Sequence, residues 1–224
     1  NNSFYLTLGG REEGKYDNNY NIFEAIRFGS LQRVAEIIEA DNSQIEAELY
    51  NDGEEEYEEH NEFTGNYYNI YGINPLSFAV FYRDIGIVQY LLDNINDESV
   101  LLHGDVDGWN AFAYACAFGT LDIIKALIQK YPDFVNWEKD EKNGLHMASL
   151  YGNISVLDYL VNDLKMDINA PDDDGYGVLY YAKDEKTAEA LKKLGAERKY
   201  YDYEEDEEDY DYDEDEEDYW FYFS

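Results

Sequence analysis

The chain has 224 residues and carries 51 acidic against 16 basic side chains, a formal net charge of -35 at pH 7. Because nucleic-acid binding needs clustered Lys and Arg to displace counterions, this charge argues against direct DNA or RNA recognition and favours a partner with a basic surface. Because Cys116 is the one cysteine, the chain cannot form an intrachain disulfide, which predicts a reducing compartment, the cytosol or else the nucleus. The sequence has no apolar run of about 18 residues, so no membrane-spanning helix is predicted.

Residues 1–20 form an N-terminal segment that differs in composition from the residues after it. A short alternating run, Phe4 to Leu8, precedes Gly9, Gly10 and a polar stretch rich in Asn. This composition predicts a strand-like or irregular N-terminal cap.

A repeated helix pair begins at Ile22. Its clearest copy is 143–161, where Leu145 and Ala148 stand three apart and Gly152 follows four residues later. An apolar stripe then recurs at helical spacing. Such a pattern predicts a helix, a tight turn at glycine and a second helix with one apolar face. The same residue types recur in the first copy, at 22, 25, 29, 34, 37 and 38.

An acidic insertion separates the first two copies. Residues 46–69 contain nine acidic residues between Glu46 and Glu62, together with Gly53 and Gly65. This composition predicts a solvated loop. The pattern resumes at 72–79, although Arg83 stands where the turn glycine is expected.

Two further copies and a degenerate one complete the row. The third copy has Ala115 and a turn at Gly119, and 143–161 is the fourth. The fifth begins at Gly175, lacks the glycine turn and ends in a Lys-rich helix from Lys186 to Leu194, as expected of a terminal cap.

The last segment, 199–224, differs in composition from all of this. Fourteen acidic residues and five Tyr lie between Tyr201 and Tyr219, without a basic residue, and an aromatic cluster with Trp220 and Phe221 comes after them. Such a run cannot build a core alone. It predicts an acidic arm that captures a basic protein, an aromatic end that folds back onto the repeats, or a solubilising tail.

The equivalent alanines of the five copies lie at 25, 79, 115, 148 and 182. Apart from the insertion, the period is roughly 33 residues, and Asn74-Pro75-Leu76-Ser77 and Asn143-Gly144-Leu145-His146 partly match a Thr-Pro-Leu-His opening. From about residue 20 to 198 the chain therefore resembles the ankyrin-repeat family. The resemblance implies an all-α solenoid of helix-turn-helix units with short hairpin-like tips, in which Asn acts as the N-cap and His146 has a structural role.

The resemblance also implies which side chains face a ligand: the hairpin tips and the two residues before each turn. In the first unit these positions are Arg27 and Phe28. From the later units and the aromatic end of the tail, the candidate partner-binding residues are Tyr71, Ile73, Phe81, Tyr82, Trp109, Phe118, Leu150, Tyr151, Tyr176, Trp220 and Phe221. Exposed aromatic rows are typical of binding surfaces, which predicts a partner groove. The alternative is that these rings are covered internally by the N-terminal segment, the acidic insertion or the next repeat.

Acidic residues line the same rim, so a preferred ligand would combine apolar anchors with Lys or Arg. These rim residues are Asp107, Asp140, Asp173 and Asp174.

No residue pattern predicts catalysis, a metal or a cofactor. His60 and His103 have no second His or Cys at the spacing of zinc ligands. Cys116 fits a core position, and the sequence offers no general base to activate its thiol. The run from Asp209 to Asp213 lacks the glycine and glutamate of a calcium loop. The sequence thus predicts a non-enzymatic scaffold or adaptor, either free or as a subunit of a large assembly. The alternative is an acidic regulator or chaperone whose tail sequesters a basic, nucleic-acid-binding protein.

Overall fold

The structure, a computed structural model, describes residues 18–49, 58–61, 65–139 and 142–198. The predictions for residues 1–17, for Asp140 and for the tail with Trp220 and Phe221 lie outside the described residues.

The described chain is a row of helix pairs that stack side by side. The inner helices are α1 (Asn18–Arg27), α3 (Pro75–Phe81), α6 (Ala111–Phe118) and α8 (Gly144–Leu150). Each precedes an outer helix: α2 (Leu31–Ala40), α4 (Ile85–Asn94), α7 (Leu121–Lys130) and α9 (Ile154–Asp158), which continues as a π-helical turn (Tyr159–Asp163). A short α5 (Glu98–Leu102) follows α4, and α10 (Glu185–Lys193) ends the row.

Two 3-10 turns, Asn42–Glu46 and Pro132–Asn136, follow α2 and α7. Their buried residues include Ile45 and Phe134, which join the common core. The turns thus extend the apolar face of the outer helices.

The inner helices approach closely because small residues lie between them. Ala79, Ala115 and Ala148 are completely buried, as the repeat pattern predicts. Between α6 and α8 the contact is closer still, because a Cβ added at Gly144 would lie 2.8 Å from the Cys116 sulfur and 3.0 Å from the Phe112 ring. One continuous core therefore runs through the stacked units.

Asparagine caps the inner helices α3 and α8, as the sequence predicts. The Asn74 side chain accepts the Ser77 amide at 2.9 Å, and the Asn143 side chain accepts the Leu145 amide at 2.9 Å. His146 accepts the Asn143 amide at Nδ1, 3.3 Å away, which completes a capping box. Burial holds the pKa of His146 below its usual range, so the imidazole is neutral in this structural role.

The turn at Arg83, where the sequence lacks the expected glycine, has the same geometry as its glycine counterparts. Arg83 has φ 61°, close to the 64° of Gly29 and the 68° of Gly152. In each case the next amide bonds back to the alanine five residues earlier, for example Asp84 N to Ala79 O at 3.2 Å. Arg83 therefore takes the left-handed conformation without the freedom of glycine.

The acidic insertion is only partly the solvated loop that its composition predicts. Its second half forms an antiparallel hairpin of β1 (Glu58–Asn61) and β2 (Asn66–Asn69). The buried Asn61 amide donates to the Phe81 carbonyl at 3.1 Å, and Leu49 exchanges backbone hydrogen bonds with Gly72 and Ile73 at 2.8 and 3.0 Å. These bonds bind the insertion to the second repeat unit.

A second small hairpin, β3 (Glu138–Lys139) with β4 (Lys142–Asn143), precedes α8. In the fifth unit, turns over 178–181 replace the first helix, whereas α10 forms where the Lys-rich helix is predicted. The all-α repeat solenoid is thus confirmed. Within the described ranges, no helix is long and apolar enough to cross a membrane.

Candidate protein-binding site

The tip before α6 places Trp109 at the edge of the inner-helix row. Asp105 organises this tip, since one carboxylate oxygen, Oδ1, accepts the amides of Asp107 and Trp109, each at 2.9 Å. Gly108 has φ 81°, a conformation that favours glycine and reverses the chain immediately before Trp109. These bonds fix the backbone that carries the indole.

The other oxygen of Asp105 joins the tip to α6. The buried Tyr114 hydroxyl donates to Oδ2 at 2.5 Å. Burial raises the pKa of Asp105, opposed by the hydrogen bonds from Tyr114 and the tip amides. Burial and the neighbouring charge of Asp105 raise the pKa of Tyr114 well above its usual value, so the phenol remains the donor.

Aromatic rings from the repeats and from the insertion hairpin meet beside this tip. The Tyr151 ring lies 5.5 Å from Trp109 and 4.9 Å from Phe118, with the near-perpendicular geometry that aromatic pairs favour. Tyr68, from β2, lies 4.8 Å from Phe118 and 5.6 Å from Tyr151. The insertion hairpin therefore supplies one ring of the cluster.

Between these rings lies a recess, here called the aromatic recess, with a volume of about 120 Å³. It is lined by Tyr68, Asp105, Asp107, Trp109, Tyr114, Phe118 and Tyr151. Phe118 and Tyr114 are buried and form its base, whereas Tyr68, Trp109 and Tyr151 are half-buried and Asp107 is exposed. The recess therefore has aromatic walls and a carboxylate at its rim.

The charge of Asp107 acts on the recess itself. Burial raises the pKa of Tyr151, and the neighbouring Tyr68 and the charge of Asp107 raise it further. Asp107 also contributes to the raised pKa of Tyr114. A negative potential thus reaches the rings from the rim.

Three predicted site residues, Trp109, Phe118 and Tyr151, meet in this recess. The expectation that the whole row is exposed is wrong for Ile73, Phe81 and Phe118, which are 0, 1 and 0% exposed. Phe81 and Phe118 are the last residues of α3 and α6, and their rings pack against each other at 5.5 Å and beneath Tyr68. For these rings the insertion does provide the internal cover that was the alternative prediction.

The remaining candidates lie around the recess or apart from it. Tyr82 is half-buried against Phe78 and Phe81, Tyr71 is half-buried, and Leu150 is 40% exposed next to Tyr151. Tyr176 stacks instead on Tyr180 at 4.0 Å in the fifth unit.

Sequence reasoning missed Tyr68, Asp105 and Tyr114. Tyr68 lies in the insertion, where the repeat offers no reference position. Asp105 and Tyr114 did leave a signal, because Asp172 and Tyr181 repeat their nine-residue separation and share the same Asp-x-Asp-Gly pattern. The structure shows the same hydrogen bonds there, with Asp172 accepting the Tyr176 amide and the Tyr181 hydroxyl.

In the tip that Asp172 organises, a lysine lies beside the buried carboxylate. Lys142 Nζ lies 3.2 Å from the buried Asp172 carboxylate and 5.2 Å from the centre of the Tyr181 ring. Burial acts to raise the pKa of Asp172, but the bonds from Tyr181, Tyr176 and Lys142 outweigh it and the pKa is lowered. None of the described residues that line the recess beside Asp105 is basic, while the aliphatic part of the Lys139 side chain lies against Gly108 of that tip.

Elsewhere the described residues show no group of three or more His, Cys, Asp and Glu side chains that could hold a metal. Cys116 is completely buried, and burial raises the pKa of its thiol, which makes it a core residue rather than a nucleophile.

Comparison with known proteins agrees with the architecture. A family model described as ankyrin repeats, in three copies, matches residues 22–136, just over half of the chain. No curated protein matches the chain.

Proposed function

Because the chain belongs to the ankyrin-repeat family, whose repeats are protein–protein interaction modules, we propose that it is a non-enzymatic scaffold or adaptor that binds a protein partner beside the aromatic recess. The observation that carries this proposal is the combination of half-exposed Trp109 and Tyr151 with the exposed carboxylate of Asp107. Trp and Tyr dominate binding hot spots, since they bury a large area at little entropic cost.

The partner's chemistry follows from this composition. An apolar or aromatic anchor would pack on the rings, and a neighbouring Lys or Arg would approach Asp107. The buried Phe81 and Phe118 support the half-exposed rings from below, so the surface is already formed before binding. A preformed surface loses less conformational entropy on association.

A second candidate function rests on the tail. Its fourteen acidic residues between Tyr201 and Tyr219 would attract a basic protein by long-range charge, so the chain would act as a charge-mimic regulator or chaperone. Such binding weakens as salt screens the charges.

One experiment separates the two functions. Full-length protein, a form lacking residues 200–224, Trp109→Ala and the control Tyr159→Ala are immobilised, and retained proteins are identified at low and high salt. Tyr159 is a half-buried tyrosine on the outer-helix row, with Lys125 over its ring. Binding at the recess predicts that one partner is retained at high salt by every immobilised form except Trp109→Ala. Retention that vanishes with salt and with the tail deletion would support the charge-mimic function instead.

A further inference from the structure

The aromatic recess has the chemistry of a cation site. The faces of Trp and Tyr rings carry negative electrostatic potential and attract a cation within about 6 Å of the ring centre. Tyr68, Trp109 and Tyr151 present such rings around one cavity, and Asp107 adds a full negative charge at its rim.

The hydrogen bonding within the recess restricts which cation fits. Asp105 already accepts three donors, the amides of Asp107 and Trp109 and the Tyr114 hydroxyl. A primary ammonium is strongly hydrated and carries three N–H donors, each of which needs an acceptor once its water is removed. A guanidinium carries five. A methylated ammonium keeps the positive charge but needs few hydrogen-bond acceptors or none. The aromatic walls of the recess therefore fit it better than a primary ammonium or a guanidinium.

The size of the recess agrees with this chemistry. A single water needs roughly 10–15 Å³ of comparable volume, so a recess of about 120 Å³ admits a compact head group rather than a second chain segment. Buried Phe118 and Tyr114 close the base, and the opening lies among Tyr68, Trp109, Tyr151 and Asp107.

We propose that the aromatic recess binds the methylated ammonium group of a lysine side chain on the protein partner. This proposal rests on the proposed function and names the group that the partner inserts. The lysine's aliphatic stem would lie between the half-exposed rings, and its charge would face Asp107. Desolvated cation–π contacts are worth about 2 kcal/mol, which corresponds to roughly 30-fold in affinity.

The test uses three short peptides that differ at one side chain, titrated into the full-length protein by calorimetry. One carries trimethyl-lysine, one unmodified lysine, and one a neutral tert-butyl isostere of trimethyl-lysine. We expect the trimethyl-lysine peptide to bind at least about tenfold more tightly than the other two, because only it combines charge with low demand for acceptors.

Two variants locate the binding. Trp109→Leu keeps an apolar side chain but removes the ring, and Asp107→Asn removes the rim charge without touching the core. Both should weaken the trimethyl-lysine peptide severalfold, whereas Tyr159→Leu should leave it unchanged. Circular dichroism checks folding, and the exposed position of Asp107 makes Asp107→Asn informative even if Trp109→Leu unfolds.

Equal binding of the unmodified or the neutral peptide would overturn the proposal, and so would no binding of the trimethyl-lysine peptide at millimolar concentration. The proposed function fails separately, if Trp109→Ala retains every salt-resistant partner of the full-length protein. A partner lost with Trp109→Ala while all three peptides bind equally would leave the proposed function standing and remove only the methylated lysine.

Discussion

Replacing Tyr114 by Phe removes one hydroxyl and leaves the aromatic recess otherwise intact. The hydroxyl donates to the buried Asp105 carboxylate at 2.5 Å, and the ring itself lies 5.5 Å from Trp109. Hydrogen bonds to charged groups contribute about 1.5–3 kcal/mol. We therefore expect Tyr114→Phe to lower the free energy of unfolding by about that amount at pH 7, measured by urea denaturation with circular dichroism.

The pH dependence gives this prediction a second test. Burial raises the folded-state pKa of Asp105 above its unfolded value, so between those two values the folded chain binds more protons and stability falls as pH rises. Without the Tyr114 hydroxyl, which lowers that pKa, the fall should extend to higher pH. Below the unfolded pKa the carboxyl is protonated in both states, and the cost of the substitution should approach the smaller value of a neutral hydrogen bond, about 1 kcal/mol.

A double-mutant cycle provides the control. Tyr114→Phe and Asp105→Asn, alone and together, should show a coupling energy of about 1 kcal/mol or more, since the two groups share one buried bond. Tyr181→Phe tests the corresponding bond to Asp172, where Lys142 remains as a partner, and should cost less. Additive effects of Tyr114→Phe and Asp105→Asn, or a loss below about 0.5 kcal/mol, would refute the reasoning.

Three further substitutions test the packing of the repeats, each by urea denaturation. Asn153→Ala should lower the free energy of unfolding by about 1–3 kcal/mol, because the buried Asn153 amide donates to the carbonyls of Cys116 and Gly119 at 3.1 and 3.0 Å and joins adjacent units. An unchanged free energy of unfolding would contradict that role. Gly144→Ala should lower the free energy of unfolding by about 1–3 kcal/mol, because the added methyl group overpacks against Cys116. Adding Cys116→Ala should restore part of the lost stability. Lys165→Gly should stabilise by up to about 1 kcal/mol, since exposed Lys165 has φ 60°; unchanged stability would argue against strain there.

The repeat architecture was predictable because each copy repeats the same physical requirement. The alanines at 79, 115 and 148 mark where inner helices touch, and Asn74 and Asn143 mark where they begin. A period of this kind assigns every residue in it to a face. Through the family resemblance it also assigned Trp109, Phe118 and Tyr151 to one predicted row, and the structure brings these three residues to one recess.

Exposure was not predictable in the same way. The family resemblance implies that Phe81 and Phe118 lie on the ligand-facing side of the inner helices. It does not indicate that Tyr68 lies over them, because the hairpin that carries Tyr68 belongs to no repeat. The contact depends on the tertiary bond from Asn61 to the Phe81 carbonyl, twenty residues away. Local composition indicated only an acidic, solvated insertion.

The central claim, that a partner binds at the aromatic recess, is tested most directly by photo-crosslinking. A benzoylphenylalanine placed at exposed Leu150, next to Tyr151, would lie at this surface, and one placed at Tyr159 would report on the outer-helix row. We expect the salt-resistant partner to crosslink at position 150 but not at 159, and the trimethyl-lysine peptide to compete with it. Crosslinking at 159 alone, or equal yields at both positions, would contradict the claim.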